Sequence, residues 1–300
     1  ECDIGVLETG LGGRWDATNA IDDKVLSIVT PIGLDHCALL GNTLGEIASE
    51  KAAIIKDEVV TCNQPPEVME QLRRPFSIKD GKKEYRKATV VVCKQPQFLH
   101  GDICGQTFLY DGKKYEISML GQHQLVNASI AICAVGKLRK KHFSIDDNAL
   151  EKGLKNTVWK ARLQVVKNAK EEFNITIPQD KVLVFDGSHN PQGAMALANA
   201  IKELFENKRI HLVLGILKDK DVQGICDTLV PLASKVTCIT PPSPRAMKKE
   251  ELQKIVAPLC RGDCDTNDSI KDAVQSSLLG DCDATILCGS LTLFAGLKNN

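Results

Sequence analysis

Three side chains in the amino-terminal part of the chain have types and spacing suited to chemistry: Glu8, His36 and Lys51. Glu8 ends the apolar run in CDIGVLETG, and His36 follows the loop after a second run in KVLSIVTPIGLDH. If both runs are parallel strands, their carboxyl ends open onto one crevice, where ligands of open α/β sheets collect. Lys51 lies on the helix announced by Thr43-Leu44-Gly45-Glu46. That is a capping box, in which the threonine hydroxyl takes the amide three residues on and the glutamate reaches back. Leu44, Ile47, Ala48, Ala52 and Ile55 make the apolar stripe of this helix, and Lys51 falls inside it. Desolvation there disfavours the ammonium form, and a neutral amine can take up carbon dioxide to give an anionic carbamate that binds hard cations. The alternative is a lysine whose stem lies along the stripe while its charge snorkels to water. The helix alone favours this second reading.

Other polar groups are placed by similar logic. Gly10-Leu11-Gly12-Gly13 follows the first apolar run but lacks the full G-x-G-x-x-G pattern, so it reads first as a tight backbone turn and only second as a phosphate loop. Asp186-Gly187-Ser188-His189-Asn190-Pro191 follows the apolar run Val182–Phe185 and opens a helix. One Asp, Ser or Asn would suffice to cap that helix, and four polar residues at an anion-attracting terminus read as a site. Asn127 stands inside a helix, where asparagine is neutral to unfavourable and idle exposure is the default. Arg162 is a surface charge or a phosphate clamp, and Ser290, after the last apolar run, is a turn residue or a ligand.

These groups need a scaffold of alternating strands and helices. Strands are expected near 2–8, 25–30 and 59–62, and a helix near 66–73. From about 88 the pattern is β, with a strand at 88–92 and a hairpin over 107–118 turning at Asp111-Gly112. Helices follow at 125–138 and up to about 155. A division falls at 157, giving domains 1–157 and 158–300. The second restarts with strands at 181–185, 210–214, 235–240 and 284–288, separated by helices near 192–206, 221–233, 248–259 and 269–279. That alternation makes an α/β chain whose second domain is doubly wound.

Three hundred residues suit two domains. Lys plus Arg equal Asp plus Glu at 38 each, which argues against nucleic acid or an anionic membrane as the main partner. Hydrophobic residues are 43% but aromatics only 4%, so the cores must be aliphatic. The twelve cysteines include no Cys-x-x-Cys, and Cys93, Cys133, Cys238 and Cys288 lie in apolar runs, where reduced thiols act as small hydrophobes. With no secretory signal, the expected location is cytoplasmic. No apolar run approaches the ~20 residues needed to span a bilayer. The chain starts at Glu1 without a methionine, beside what reads as a core strand, so an amino-terminal part is expected to be missing.

Together the motifs resemble one family, the folylpolyglutamate synthases with their bifunctional dihydrofolate synthase form, within the Mur ligase superfamily. The resemblance rests on ETGLGGRWDATN, GLDH and IASEKAAIIK between Glu8 and Lys56, on LGQHQLVN at 120–127 and on DGSHNP at 186–191. Weaker echoes are Leu214-Gly215 with Lys218-Asp219-Lys220-Asp221, Pro244-Arg245-Ala246, and Gly289-Ser290-Leu291. It covers essentially the whole chain. It implies an incomplete P-loop-type parallel-sheet domain followed by a smaller Rossmann-like doubly wound domain. The implied activity is an ATP-dependent ligase that adds L-glutamate to folate, or in the bifunctional form to dihydropteroate, through an acyl phosphate.

ATP and Mg2+ are the implied cofactors, with a monomer the expected state. Glu8, His36 and Lys51 are implied as magnesium ligands, Lys51 carbamylated and catalytic, which reverses the balance against snorkelling. Asn127, Arg162 and Asp186 are implied as ATP contacts. Trp15, Asp16 and Ala17 would border the pterin-bearing substrate. His189, also catalytic, and Ser290 would meet the incoming glutamate or the γ-phosphate. In the family a phosphate-gripping loop and a serine metal ligand lie upstream of the position of Glu1, so the chain alone is expected to be inactive. Two further departures are Trp159-Lys160-Ala161-Arg162 in place of W-P-G-R, and Ala53 in place of a glycine. Rival readings are a Mur ligase acting on a UDP-muramyl peptide and a non-catalytic nucleotide-binding remnant.

Overall fold

The structure, a computed structural model, describes residues 2–298. Two compact units emerge. The first holds the chain up to residue 98 with 108–115 and 125–154; the second holds 99–107, 116–124 and everything from 155 on. By chain length the second is the larger, because two arms of the preceding β region count with it.

The first unit begins with β1 (Ser27–Val29), α1 (Cys37–Leu40), α2 (Leu44–Ala52), β2 (Glu58–Thr61) and α3 (Pro66–Arg73). It continues with β3 (Phe76–Lys79), β4 (Lys82–Tyr85) and β5 (Thr89–Val92). β1, β2 and β5 form a parallel sheet in that order. Ile47, Ala48 and Ala52 of α2 pack with Val29, Val59, Val68 and Leu72 in its core. The expected strand over 2–8 does not form: Val6 and Leu7 are 90% and 62% exposed. An extended segment gains its stability from a neighbouring ladder, and no described strand runs beside this one. β3 and β4 make an unexpected hairpin that turns at Asp80 (φ 48°) and Gly81 (φ 74°), the left-handed pair of a type I′ turn. β6 (Gln97–Asp102), β7 (Gly105–Tyr110) and β8 (Lys113–Ile117) form a second sheet whose strands divide between the two units, followed by α4 (Gln122–Lys140) and α5 (Asp147–Asn156).

The second unit runs β9 (Gln164–Val165), α6 (Ala169–Phe173), β10 (Val182–Phe185), α7 (Pro191–Leu204), β11 (Ile210–Leu214) and α8 (Val222–Leu229). Then come β12 (Lys235–Ile239), α9 (Lys249–Val256), β13 (Asp263–Asn267), α10 (Ile270–Leu279), β14 (Ala284–Cys288) and α11 (Thr292–Lys298). Its sheet has the order β13-β12-β11-β14-β10-β9, parallel throughout except for β9. Leu197, Ile201, Ile225, Leu229 and Leu252 from α7, α8 and α9 cover one face. Phe173, Val274, Leu278 and Leu293 from α6, α10 and α11 cover the other, so the unit is doubly wound. Burial on both faces is why β10, β11 and β14 read as almost unbroken apolar runs. β13 (DCDTN) escapes that pattern because it is the open edge.

One row of hydrogen-bonded polar groups, buried at His211 and Thr237, crosses three strands of this sheet. Thr237 Oγ1 donates to Asp265 Oδ1 at 2.5 Å and, its only proton spent, accepts from His211 Nε2 at 2.8 Å. Lys235 Nζ lies 2.9 Å from the other Asp265 oxygen. The twelve cysteines are free thiols. Burial raises Cys93 to about 11 and Cys226 to about 12, which keeps both un-ionised. No helix among the described residues is long and apolar enough to cross a membrane.

Candidate active site

In the first unit the glycine loop is folded by one carboxylate. Asp16 Oδ2 accepts from the backbone N–H groups of Gly10 and Leu11, at 2.8 and 3.1 Å. Its Oδ1 accepts from the Thr18 amide and hydroxyl, at 2.9 and 2.7 Å. The Thr18 bonds, then that from Leu11, hold the Asp16 carboxyl down to about 2, so it stays ionised at any ordinary pH. Asp16 thus caps the short 3₁₀ turn Ala17–Ala20, while Trp15 projects into solvent at 78% exposure. The loop docks on the last turn of α2: Arg14 N–H donates to Glu50 O at 3.0 Å, and the Arg14 guanidinium pairs with the Glu50 carboxylate at 2.8 Å. A Cβ on Gly13 would stand 2.8 Å from the carbonyl oxygens of both Glu50 and Lys51. Gly13→Ala is therefore expected to lift the loop from α2 and to cost about 1–3 kcal/mol, seen as a lower urea midpoint. An unchanged midpoint would contradict that packing. Arg14 stands in the ETGLGGRWDATN motif without an assigned role, although its place directly after the glycines is a usable signal.

Lys51 is half-buried in the last turn of α2, and among the described residues no carboxylate pairs with it. The capping box forms as expected, with Thr43 Oγ1 accepting from Glu46 N at 3.2 Å and Glu46 Oε2 from Thr43 N at 3.1 Å. His36 is the N-cap of α1, in the left-handed conformation (φ 52°) and exposed, 4.0 Å from the Asp35 carboxylate. Glu8 is exposed in the irregular segment before the glycine loop. Among the described residues no three His, Cys, Asp or Glu side chains form a ready metal site. Among the described residues no hydrogen bond or ion pair joins Glu8, His36 and Lys51 to one another; by chemical type a carboxylate, an imidazole and a carbamate would suit a hard divalent ion. Ala53, in place of a glycine, is buried in helical conformation (φ −60°).

In the second unit several expected residues meet at the carboxyl ends of β10 and β14. Asp186 is buried, and its carboxylate accepts from Leu163 N–H at 2.8 Å and Ser188 N–H at 2.9 Å. Gly187 N–H donates to Ala161 O at 2.7 Å, completing a clasp between this loop and the one that carries Arg162. Ala161 (φ 60°) and Leu163 (φ 45°) are both left-handed, a strain the clasp sustains. Arg162 itself is exposed. His189 Nδ1 lies 2.8 Å from Gly187 O, so Nδ1 donates to that carbonyl, and in the neutral ring the lone pair is on Nε2. Asn190 caps α7 through Gly193 N–H at 2.7 Å. Among the described residues the buried Ser188 hydroxyl has no partner. Ser290 is buried and its hydroxyl is 2.9 Å from that of Thr292, whose amide it also accepts, so it serves the turn into α11. The Ser290 loop abuts the clasp, since a Cβ on Gly187 would strike Leu291 at 2.2 Å.

Two weak sequence echoes also come together: Lys218 N–H donates to Arg245 O at 2.8 Å, and Arg245 pairs with Asp219 at 2.9 Å. His123 lies within the LGQHQLVN motif, which by itself assigns it no role. It is exposed, yet the protein packed around it lowers its pKa by desolvation, with the Asp186 carboxylate opposing and Arg162 reinforcing the shift, which places all three in one electrostatic neighbourhood. A cleft of about 370 Å³ opens beside Trp159, Arg162 and Lys167, without Asp186, His189 or Ser290 in its lining. Asn127 is half-buried on α4 in the first unit.

This geometry defines an α/β protein with a polar clasp at the strand ends of a doubly wound unit, and comparison with known proteins narrows the class. Residues 162–291 match the family described as Mur ligase, glutamate ligase domain. Over 261 residues the chain is 33% identical to the dihydrofolate synthase/folylpolyglutamate synthase of Bacillus subtilis, covering 83% of this chain and 56% of that protein. Over 310 residues it is 31% identical to the folylpolyglutamate synthase of Lacticaseibacillus casei, covering 99% and 67%. The Mycobacterium tuberculosis folylpolyglutamate synthase, solved in complex with ADP and AMPPCP, matches with a TM-score of 0.73 and 28% identity over 96% of this chain and 66% of that one. The chain belongs to the folylpolyglutamate synthase family. It spans roughly half to two thirds of the length of these relatives.

Proposed function

We propose that this chain works in an ATP-dependent ligase that joins L-glutamate to the carboxylate of a folate or, in the bifunctional form, of dihydropteroate. The observation that carries this reading is the clasp of the Arg162 loop on Asp186–His189, inside the segment that matches the glutamate ligase family. The γ-phosphoryl group of ATP passes to the acceptor carboxylate, the glutamate amine attacks the resulting acyl phosphate, and phosphate leaves as the amide forms. Such transfers depend on positioning and on neutralising phosphate charge rather than on covalent help from the protein.

Roles follow from placement. Asp186 is committed to two backbone amides and holds the Arg162 loop in place, leaving the Arg162 guanidinium free to meet phosphate. His189, with its Nε2 lone pair available, can accept a proton from the incoming ammonium group. Asn127 is the proposed adenine contact on α4. Glu8, His36 and a carbamylated Lys51 would hold Mg2+, which when bound supplies charge neutralisation at the phosphates. Trp15 and Ala17 are proposed to border the pterin, and Asp16 to shape their loop. Ser290 is proposed to act through the turn it caps. A monomer in the cytoplasm is the proposed state.

The test is product analysis. Incubating the protein that carries this chain with ATP, Mg2+, pteroylmonoglutamate and glutamate should yield a pteroyl product heavier by one glutamate residue for each ADP formed. ADP release indifferent to either acceptor or glutamate would overturn the reading.

A further inference from the structure

The chain as a whole is neutral, yet seven of the fifteen residues from Arg73 to Lys87 are Lys or Arg against two acids, Asp80 and Glu84. These residues end α3 and form the β3–β4 hairpin. Among the described residues none of the seven joins an ion pair: Arg86 donates to the Ala53 carbonyl at 3.2 Å, Arg74 lies over the Tyr85 ring and Lys83 over the Phe76 ring. Lys79, Lys82, Lys83 and Lys87 are exposed. The register sets Lys79 directly across from Lys82, a like-charge pairing that weakens a hairpin unless an anion lies between the two ammonium groups.

The hairpin is also tied to the candidate site of its own unit. Phe76 at its base is buried beneath the Arg14 guanidinium (5.4 Å from the ring), and that guanidinium also faces Trp15 at 5.3 Å. Through Ala53 O, Arg86 fixes the other strand's end to the residue that follows α2, the helix of Lys51. A surplus of uncompensated positive charge therefore stands beside the glycine loop.

We propose that the β3–β4 hairpin binds the polyanionic tail of the substrate, an oligo-γ-glutamate chain with one free α-carboxylate per residue. The inference rests on the glutamate-ligase reading and adds to it a subsite for tails longer than one residue. Flexible lysines suit such a ligand, because they act as point charges and need no fixed bidentate geometry. A nucleic acid would call for open aromatic faces to stack its bases, and the exposed ring of the hairpin, Tyr85, is already covered by Arg74. Attraction of this kind is screened over about 8 Å at physiological salt, so it must weaken as salt is raised.

The test uses the protein that carries this chain and titrates pteroylmonoglutamate, pteroylpentaglutamate and free penta-γ-glutamate into the wild type and into Lys79→Ser/Lys82→Ser/Lys83→Ser. Three exposed charge pairs should make pteroylpentaglutamate bind about tenfold tighter than the monoglutamate. That advantage, and binding of the free peptide, should vanish in the variant and at high salt while monoglutamate binding is unchanged. If the free peptide binds through the hairpin but pteroylmonoglutamate fails to bind the wild type, the subsite stands and the folate reading falls. A variant that keeps the full preference for the long tail overturns the subsite. So does an oligothymidylate of equal charge that binds the hairpin as tightly as the peptide. Circular dichroism of the variant separates loss of binding from loss of fold, and the substituted lysines are all exposed.

Discussion

Lys51→Ala in the protein that carries this chain is expected to lower glutamate-dependent ADP formation by about a hundredfold or more. Short carboxylic acids such as acetate or propionate are expected to restore part of the loss, because a small carboxylate can occupy the space of the missing carbamate and present equivalent oxygens. Lys51→Arg should be as inactive as the alanine variant, since a guanidinium keeps its charge and forms no carbamate. The structural grounds are local. Lys51 is half-buried on a helix with an apolar stripe, lacks a carboxylate partner among the described residues, and extends from a helix turn pinned by the Arg14–Glu50 contacts. A lysine that merely snorkels would give Lys51→Ala near wild-type turnover, and that outcome would remove it from the chemistry.

The second large effect concerns stability in acid. His211 is buried at 5% exposure, and burial first, then the nearby Lys235 charge, push its pKa down from 6.5 to about 4, with Asp265 opposing. Below pH 6.5 the unfolded chain binds a proton at this ring that the folded chain refuses until about pH 4. Stability contributed by the neutral ring is therefore complete above 6.5 and is lost as pH falls through that window, by about 3 kcal/mol in total. His211→Leu removes the titrating group and leaves the Thr237–Asp265 bond in place, so its urea midpoint should change much less between pH 6.5 and 4. Asp265 is expected to act only at lower pH. Burial alone would raise its pKa, but the bonds from Thr237 and Lys235 outweigh burial and lower it. Parallel acid curves for the wild type and His211→Leu would show that the row across β11, β12 and β13 does not hold the ring neutral.

Local chemistry was readable wherever neighbours in the chain decide structure. The Thr43 capping box and the Asp111-Gly112 turn are complete within a few residues, and both form where the letters place them. Asp80-Gly81 carries the same turn signal, but the charged residues around it hid the alternation of its strands, in which three of the eight residues are lysine. Strand patterns failed at edges: polar β13 pairs on one side only, and the apolar run through Val6 and Leu7 has no ladder to join. Of the candidate site, the Asp186–Asn190 loop was legible because four polar residues follow a buried strand. That its carboxylate would clasp the Leu163 amide was not, since 23 residues separate them and only the antiparallel β9–β10 pairing draws the two loops together. The His211 row was invisible for the same reason, being assembled from three strands.

The measurement that bears most directly on the central claim is the anomalous scattering of manganese in crystals of this protein grown with Mn2+ and a non-hydrolysable ATP analogue. The account predicts one strong peak within bonding distance of the Glu8 carboxylate, the His36 imidazole and added density on the Lys51 amine that fits a carbamate. Unmodified Lys51, with Glu8 and His36 directed into separate regions and the manganese held elsewhere, would contradict it.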